Sequence, residues 1–154
     1  MCQYGLLSAD TCLAAELIGP ELCRKIESAA LALYEEAATY ALARGLILAD
    51  TKFEFGLVPI ASSSTGEEDL ILIDEALTPD SSRYWPADGY APGRGQPSFD
   101  KQFLRDWLVD AGFRKGLEAG PEGTVGVGWV MSEDVVRGTR ARYVEARYRL
   151  IRDA

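Results

Sequence analysis

The chain has 154 residues, of which 47% are hydrophobic and 26% charged, a composition typical of one globular domain with an apolar core. Acidic residues outnumber basic ones by 24 to 16, and the net charge of -8 argues against general binding to a phosphate backbone. No apolar run reaches the roughly 18 residues that a membrane span needs, and the N-terminus lacks the basic start of a signal peptide. We therefore expect a cytoplasmic protein that binds neither nucleic acid nor membrane.

Cysteine and histidine usage narrows the chemistry further. Cys2, Cys12 and Cys23 form no Cys-x-x-Cys pair, and the chain has no histidine. This pattern argues against a disulfide framework and against a zinc site. The lack of histidine also removes the commonest general base and the Ser–His and Cys–His nucleophile pairs. Any chemistry must therefore come from carboxylates, lysine, arginine, hydroxyls or a metal held by oxygen atoms.

The first predicted element is an amphipathic helix that begins at Pro20 and ends before Gly45, with apolar residues three and four positions apart. Three short strands follow, two as apolar runs and one, the middle, with a period of two. They are predicted at residues 46–49, 52–55 and 70–73. The small, polar segment 61–68 is expected to be an exposed hairpin loop.

Prolines and glycines are frequent in segment 78–97, so we expect an ordered loop without regular structure there; its aromatic residues argue against disorder. A second helix is predicted from Ser98, the candidate N-cap, to Gly112. The glycine-rich segment 116–128 is typical of a connecting loop, and Ser132 is predicted to cap a third helix. Strands and helices in this order predict an α+β fold.

The densest polar cluster follows the first strand. With continued alternation, Asp50, Lys52 and Glu54 share one face of an extended segment, while Phe53 and Phe55 take the other. A half-buried strand with a solvated charged face explains this pattern. A site at which a lysine and two carboxylates converge on a charged ligand explains it too, and the residues alone leave both interpretations open.

Two carboxylates, Asp74 and Glu75, directly follow the strand predicted at 70–73. Magnesium sites for phosphoryl transfer are often built from carboxylates at strand ends. Further along, Arg83 could grip a phosphate or carboxylate with its fork of donors. Segment 78–81 by itself is only a favourable turn. Two such clusters on neighbouring strands, with no histidine, favour a magnesium–nucleotide site over acid–base hydrolysis.

The third cluster lies in the second predicted helix. Lys101 and Arg105 lie four positions apart on one helix face, and Phe99, Phe103 and Trp107 lie on another. The plainer explanation is an amphipathic helix with a charged outer face. The alternative is that the two basic residues point at an anion.

At these three clusters the sequence resembles the SAICAR synthetase (phosphoribosylaminoimidazole-succinocarboxamide synthase) family of purine biosynthesis. The motifs occur in the family's order, at residues 49–56, at 74–75 with 78–85, and at 98–107. The resemblance implies a ligase that uses ATP and magnesium to join L-aspartate to the carboxylate of carboxyaminoimidazole ribonucleotide. It also implies an acyl-phosphate route, in which ATP phosphorylates the carboxylate before the aspartate amine attacks.

The same resemblance implies roles for the residues nearest the nucleotide. Glu54 and Asp74 would hold the Mg²⁺ ion and, with it, the ATP phosphates. Lys52 would neutralise negative charge at the transferred group and also contact the nucleotide. Asp50 would orient the transferred group, so Lys52 and Asp50 are the implied catalytic residues.

The resemblance implies a second set of residues for the ribonucleotide substrate. Arg83 would grip its phosphate, and Asp80 would be a further substrate contact. Lys101 and Arg105 would be secondary anion contacts.

Members of this family are longer and begin with a lobe that covers the nucleotide. The resemblance therefore implies that residues 13–154 form a C-terminal domain of antiparallel strands and packed helices, without the N-terminal ATP-binding lobe. Residues 1–12 are expected to be an atypical N-terminal segment. A face left uncovered would favour self-association. The alternative to a ligase completed by another segment is a non-catalytic remnant that binds the ribonucleotide or a partner.

Overall fold

The structure is a computed structural model that describes residues 15–60, 66–113 and 128–151. A single helical turn at 15–18 precedes the first long helix. The elements that follow are α1 (Pro20–Leu42), β1 (Leu46–Thr51), β2 (Glu54–Pro59), β3 (Glu68–Ile73), β4 (Ser82–Pro86), α2 (Gln102–Asp110) and α3 (Glu133–Ile151). The predicted α+β class is confirmed.

Some predicted features fall on residues that the structure does not describe. Most of the predicted loop at 61–68, nearly all of the connecting segment 116–128 and the N-terminal segment 1–12 lie outside the described residues. Among the helices that are described, none is long and apolar enough to cross a membrane.

The chain divides into two compact units. The first comprises Met1–Glu36 and Phe53–Asp74, and the second comprises Ala37–Lys52 and Glu75–Ala154. Each unit has its own two-stranded antiparallel sheet, β2 with β3 in the first and β1 with β4 in the second.

In the first unit, β2 and β3 form an antiparallel ribbon. Glu54 pairs with Ile73 at one end, and Pro59 pairs with Glu68 at the other. This pairing confirms the predicted hairpin, but the second strand lies later than the predicted 52–55, because its pairing with β3 begins only at Glu54. Large apolar side chains of the ribbon are more than one-third exposed, and these are Leu57, Val58, Ile71, Leu72 and Ile73.

In the second unit, the core lies on one face of the β1–β4 sheet. Leu46 and Leu48 of β1 and Tyr84 of β4 are buried there, together with Ala41 of α1 and Ala146 of α3. The Tyr84 hydroxyl, which is part-buried, donates a hydrogen bond to the Leu77 carbonyl oxygen at 2.7 Å.

A β-bulge at Ala49 decides which side chains of β1 face this core. Leu48 pairs with Tyr84, and the next pair is Asp50 with Arg83, so Ala49 is the extra residue. Because side chains alternate between faces, an unbroken strand would place Asp50 on the buried face together with Leu48. The bulge reverses that order and brings Asp50 to the exposed face beside Arg83.

The expectation that segment 78–97 lacks regular structure is wrong, because β4 occupies Ser82–Pro86. Ser82 and Tyr84 are buried, whereas Arg83 between them is exposed. This alternation is the mark of a strand, but it spans too few residues to stand out among the surrounding prolines and glycines. Pairing with β1 supplies the hydrogen bonds that make the segment a strand.

The expected N-cap of α2 is also wrong. The helix begins at Gln102, and the Asp100 carboxylate, not the Ser98 hydroxyl, accepts the Gln102 amide, at 2.7 Å. Ser98 instead donates to that carboxylate. The neighbouring Phe99 amide bonds to the Tyr84 carbonyl at 2.9 Å, so these residues are held by β4 and the helix starts later.

Helix α3 is capped as predicted and packs closely on α2. The Ser132 hydroxyl oxygen accepts the Val135 amide at 3.4 Å. Gly138 lies against the Phe103 ring so closely that a Cβ there would come within 2.8 Å of it. The Arg142 guanidinium stacks over the Phe103 ring, 3.7 Å from the ring centroid. A side chain at position 138 would therefore force the Phe103 ring to shift.

Candidate functional site

A cleft in the second unit gathers most of the charged residues that the sequence analysis singled out. It has a volume of about 290 Å³. Its lining residues are Asp50, Pro79, Asp80, Ser81, Ser82, Arg83, Asp100, Lys101 and Arg105. Five of the eight predicted site residues are among them, and the three that are not are Lys52, Glu54 and Asp74.

Asp50 and Arg83 form a two-pronged ion pair across the β1–β4 sheet. Arg83 Nε donates to Asp50 Oδ1 at 2.7 Å, and Nη2 donates to Oδ2 at 2.6 Å. Hydrogen bonding to Arg83 lowers the pKa of Asp50, and the bond to Asp50 raises the pKa of Arg83. Both side chains are about half exposed, at 52% and 51%, so a ligand can reach them. The pair thus aligns one guanidinium and one carboxylate at the cleft.

The turn that follows β3 shapes another wall of the cleft. Thr78 is its hub: its carbonyl oxygen accepts the amides of Ser81, at 3.1 Å, and Ser82, at 2.9 Å. Its hydroxyl oxygen accepts the Asp80 amide at 3.3 Å and donates to Glu75 Oε2 at 3.1 Å. The sequence analysis identified this segment as a favourable turn, and the bonds confirm that interpretation. The turn presents Asp80 and two serines to the cleft.

Asp80 is held from two other elements as well. The Tyr143 hydroxyl of α3 donates to Asp80 Oδ1 at 2.7 Å. The Lys101 ammonium donates to the Asp80 carbonyl oxygen. An exposed turn residue is thereby tied to the start of α2 and to the middle of α3.

Asp100 is the most deeply buried charged residue of the cleft, with 2% exposure. Its carboxylate accepts hydrogen bonds from the Gln102 amide, at the start of α2, and from the Ser98 hydroxyl. Lys101, the residue before α2, and Arg105, within it, line the same cleft. The structure therefore brings both basic residues to the cleft, as the anion-binding interpretation expected.

Glu54 and Asp74 lie in the first unit, at one end of the ribbon. Glu54 pairs with Ile73, the last residue of β3, and Asp74 is the next residue in the chain. Both carboxylates therefore lie at the same end of the ribbon, and we call Glu54 and Asp74 together the ribbon end. Both side chains are exposed. Asp74 has a φ of 63°, a left-handed conformation that aspartate tolerates better than most residues.

Lys52 lies between β1 and β2 and is exposed. The expectation that Asp50, Lys52 and Glu54 share one face of a single extended segment is wrong. The chain leaves one sheet after Thr51 and enters the other at Glu54, because β1 pairs with β4 and β2 pairs with β3. Within residues 15–60, 66–113 and 128–151, no group of three or more acidic, cysteine or histidine side chains could hold a metal ion.

Four residues that line the cleft were not predicted, namely Pro79, Ser81, Ser82 and Asp100, and neither was the contact of Tyr143 with Asp80. Asp100 had a local signal, because an aspartate side chain commonly accepts the backbone amide two residues further on, as it does here from Gln102. Tyr143 had none, because its contact with Asp80 spans 63 residues and depends on where α3 packs.

Comparison with known proteins identifies the family. Residues 5–119 match the family model for SAICAR synthetase. The chain belongs to the SAICAR synthetase family. The resemblance carried by the three sequence motifs is confirmed.

The relatives include phosphoribosylaminoimidazole-succinocarboxamide synthases from several organisms. The protein of Thioalkalivibrio sulfidiphilus is 52% identical over 143 residues, which are 93% of this chain and 43% of the relative. That of Saccharopolyspora erythraea is 49% identical over 88% of this chain and 42% of the relative. The chain thus spans about two-fifths of the length of the curated relatives that it matches.

Solved structures of the family share the fold. The SAICAR synthase of Saccharomyces cerevisiae, complexed with SAICAR, is 42% identical with a TM-score of 0.70, over 91% of this chain and 42% of that one. A type-2 SAICAR synthetase in complex with ADP is 25% identical with a TM-score of 0.54, over 90% of this chain and 42% of that one. The antiparallel strands and helices described above are therefore those of this family.

Proposed function

We propose that this chain carries the ribonucleotide-binding part of an ATP-dependent ligase that joins L-aspartate to carboxyaminoimidazole ribonucleotide and forms SAICAR. One observation carries the proposal: five motif residues of a SAICAR synthetase family chain converge on a single cleft. The complex of the yeast relative with SAICAR supports this choice of product.

The cleft suits a substrate that bears a phosphate and a carboxylate. Arg83, Lys101 and Arg105 supply three cations, and two of these are arginines that can bind an oxyanion through two parallel hydrogen bonds. Arg83 uses two donors on Asp50, and a guanidinium has five in total, so it can hold Asp50 and the substrate phosphate together. In this role Asp50 orients the guanidinium as well as the transferred group.

The ribbon end suits a magnesium ion that bridges nucleotide phosphates. Magnesium sites in phosphoryl-transfer enzymes commonly use one or two carboxylates, with water and phosphate oxygens completing the shell. Glu54, the first residue of β2, and Asp74, the residue after β3, would be the two oxygen donors for this ion. The ion would neutralise charge on the ATP phosphates, and Lys52, on the segment before β2, would add a positive charge at the transferred group.

The proposed reaction has two steps. A carboxylate oxygen of the ribonucleotide attacks the γ-phosphorus of ATP, which gives an acyl phosphate and releases ADP. The aspartate amine then attacks the acyl carbon: a C–N bond forms, the C–O bond to phosphate breaks, and the amine loses a proton. Cations at the cleft would stabilise the negative charge that develops on the oxygen atoms in both steps.

We infer further that the chain corresponds to the C-terminal portion of the longer relatives. The ATP-covering lobe would then be supplied by another segment or chain. The similarity over about two-fifths of each relative's length is consistent with a match to one portion of a longer enzyme. Lys101 and Arg105 remain secondary anion contacts in this scheme.

A non-catalytic role in ribonucleotide binding is the second candidate. All five residues of the proposed ribonucleotide site belong to the second unit, whereas Glu54 and Asp74 belong to the first. Ribonucleotide binding therefore depends on one unit alone. A remnant that had lost turnover would keep this part of the site.

Calorimetric titration tests the proposal directly. The purified chain is titrated with carboxyaminoimidazole ribonucleotide and, separately, with Mg-ATP, and SAICAR formation is assayed with ATP and aspartate present. Binding of both ligands with turnover supports the ligase. Ribonucleotide binding alone supports the non-catalytic role, and binding of neither ligand contradicts both proposals for this chain.

A further inference from the structure

Tyr143 connects the last helix to the proposed ribonucleotide site. It lies on α3, 63 residues from Asp80 in sequence, and its hydroxyl donates to Asp80 Oδ1 at 2.7 Å. The segment that matches the family model ends at residue 119, so Tyr143 lies outside it. The contact is therefore a feature of this chain's tertiary structure that the matched motifs do not contain.

Asp80 needs such a contact because it sits on an exposed turn. Its side chain is open to solvent, and turn residues of this kind sample several side-chain rotamers unless something holds them. The turn's own bonds, centred on Thr78, fix the Asp80 amide. Lys101 holds its carbonyl oxygen, but only Tyr143, among the bonds that the structure gives, holds its carboxylate.

Helix α3 is anchored independently of Asp80. Gly138 and Arg142 pack on the Phe103 ring of α2. At the other end of α3, the Tyr40 hydroxyl donates to the Leu150 carbonyl oxygen at 2.7 Å. Tyr143 thus lies on a helix with its own packing contacts, whereas its hydrogen-bond partner Asp80 lies on an exposed turn.

The Tyr143 hydroxyl is also suited to remain a hydrogen-bond donor at physiological pH. Burial raises the pKa of Tyr143, and the neighbouring Asp80 carboxylate raises it further. Since an ordinary tyrosine already has a pKa of about 10, Tyr143 keeps its proton at physiological pH.

We propose that Tyr143 is a positioning residue that holds the Asp80 carboxylate and the turn at 78–82 in the shape that the cleft presents to its ligand. The identity of that ligand rests on the function proposed above. Tyr143 acts through Asp80, so its loss should loosen the turn first and weaken ligand binding as a consequence.

The test compares Tyr143→Phe with Tyr40→Phe. Each change removes one tyrosine hydroxyl that donates at 2.7 Å, but Tyr143 donates to Asp80 of the cleft, whereas Tyr40 donates to Leu150 at the far end of α3. Amide hydrogen exchange is measured at Ser81 and Ser82 in the ligand-free chain. We expect about fivefold faster exchange at these amides in Tyr143→Phe, as for the loss of one hydrogen bond, and no change in Tyr40→Phe.

Two further variants separate positioning from general damage. Asp80→Asn keeps a carbonyl oxygen that can accept from Tyr143, so exchange at Ser81 and Ser82 should stay slow, whereas Asp80→Ala should match Tyr143→Phe. The double variant with Phe at 143 and Ala at 80 should be no faster than either single variant, because both remove the same bond. Unchanged exchange in Tyr143→Phe, or equal acceleration in Tyr40→Phe, would overturn the proposal.

Ligand binding is the second readout. Affinity for carboxyaminoimidazole ribonucleotide should fall about fivefold in Tyr143→Phe and stay at the wild-type value in Tyr40→Phe. Equal affinity in both variants would overturn the link between Tyr143 and binding. If the unmodified chain binds no ribonucleotide, the proposed function fails for this chain, and the exchange measurement still decides whether Tyr143 positions Asp80.

Discussion

The cleft of the second unit and the ribbon end of the first differ in how their charges are arranged. Three basic residues and three aspartates line the cleft, and several of them are bonded to one another or to the backbone. The ribbon end presents two exposed carboxylates, Glu54 and Asp74. A balanced, cation-bearing cleft suits an organic anion, whereas paired carboxylates suit a metal ion. The difference teaches that motif residues named together from the sequence are divided by the fold between two units with different charge arrangements.

The largest expected effect is at the ribbon end. Asp74→Asn removes one of two proposed magnesium ligands and should abolish magnesium-dependent nucleotide binding, measured by calorimetry with Mg-ATP. The fold should remain, because asparagine also tolerates the left-handed φ of 63°. Asp69→Asn, on the same ribbon, is the matched control and should bind normally. Unchanged Mg-ATP binding in Asp74→Asn would remove the metal assignment, and weakened ribonucleotide binding would contradict the separation of the two regions.

The next effect is at the cleft. Arg83→Lys keeps the charge but loses the fork that bonds Asp50 through two donors. Affinity for carboxyaminoimidazole ribonucleotide should fall about tenfold, or about 1.4 kcal/mol, while Mg-ATP binding stays unchanged. Arg147→Lys, an exposed arginine of α3, controls for the substitution itself. Equal ribonucleotide affinity in the two variants would mean that Arg83 has a structural role only.

A third change asks whether the cleft depends on helix packing. Gly138→Ala would gain about 1 kcal/mol of helix propensity, but its Cβ would meet the Phe103 ring at 2.8 Å, and Arg142 covers that ring. We expect the cost of the clash to exceed the gain in helix propensity, so that the free energy of unfolding falls by about 1–2 kcal/mol in a denaturant titration. Gly95→Ala, where no atom lies within 4 Å of the new methyl, should change stability little. A stabilised Gly138→Ala chain would show that α2 and α3 are packed less tightly.

The smallest effect is the pH dependence of the Asp50–Arg83 pair. Because the pKa of Asp50 is lowered in the folded chain, its contribution to stability is present above the unfolded pKa of about 3.9 and is lost as the pH falls through the folded value. Both side chains are half exposed, so the pair contributes only about 0.5 kcal/mol. Asp50→Asn should therefore lower the free energy of unfolding slightly at pH 7 and not at pH 2. A difference that persists at pH 2 would mean that the ion pair is not its source.

Much of the fold could be predicted because its signals are local. The periodicity of α1, the apolar run of β1 and the Ser132 cap of α3 each lie within a few consecutive residues, and each is confirmed. Strand β4 could not be predicted, because Ser82–Pro86 becomes a strand only through pairing with β1. The same limit explains why α2 begins at Gln102 and not directly after Ser98. Ser98 and Phe99 donate hydrogen bonds to the Tyr84 carbonyl oxygen, a contact that no local pattern reveals.

The candidate site divides in the same way. Residue type and spacing singled out Asp50, Arg83, Lys101 and Arg105, and the family resemblance added Asp80. The structure brings these five to one cleft. The prediction that Asp50, Lys52 and Glu54 share one face was wrong. It assumed a single extended strand, whereas the chain passes from the β1–β4 sheet to the β2–β3 sheet within this segment. The bulge at Ala49 adds a further reversal that no period-two count includes.

By itself the sequence determined the α+β class, the family and the types of residue available for chemistry, since composition, short-range periodicity and motif order are properties of neighbouring residues. Only the tertiary structure decided which of them meet. The Asp50–Arg83 pair depends on the β1–β4 register, and the Tyr143–Asp80 bond depends on how α3 packs against α2. Contacts across 33 and 63 residues arise from strand pairing and helix packing, which no local pattern encodes.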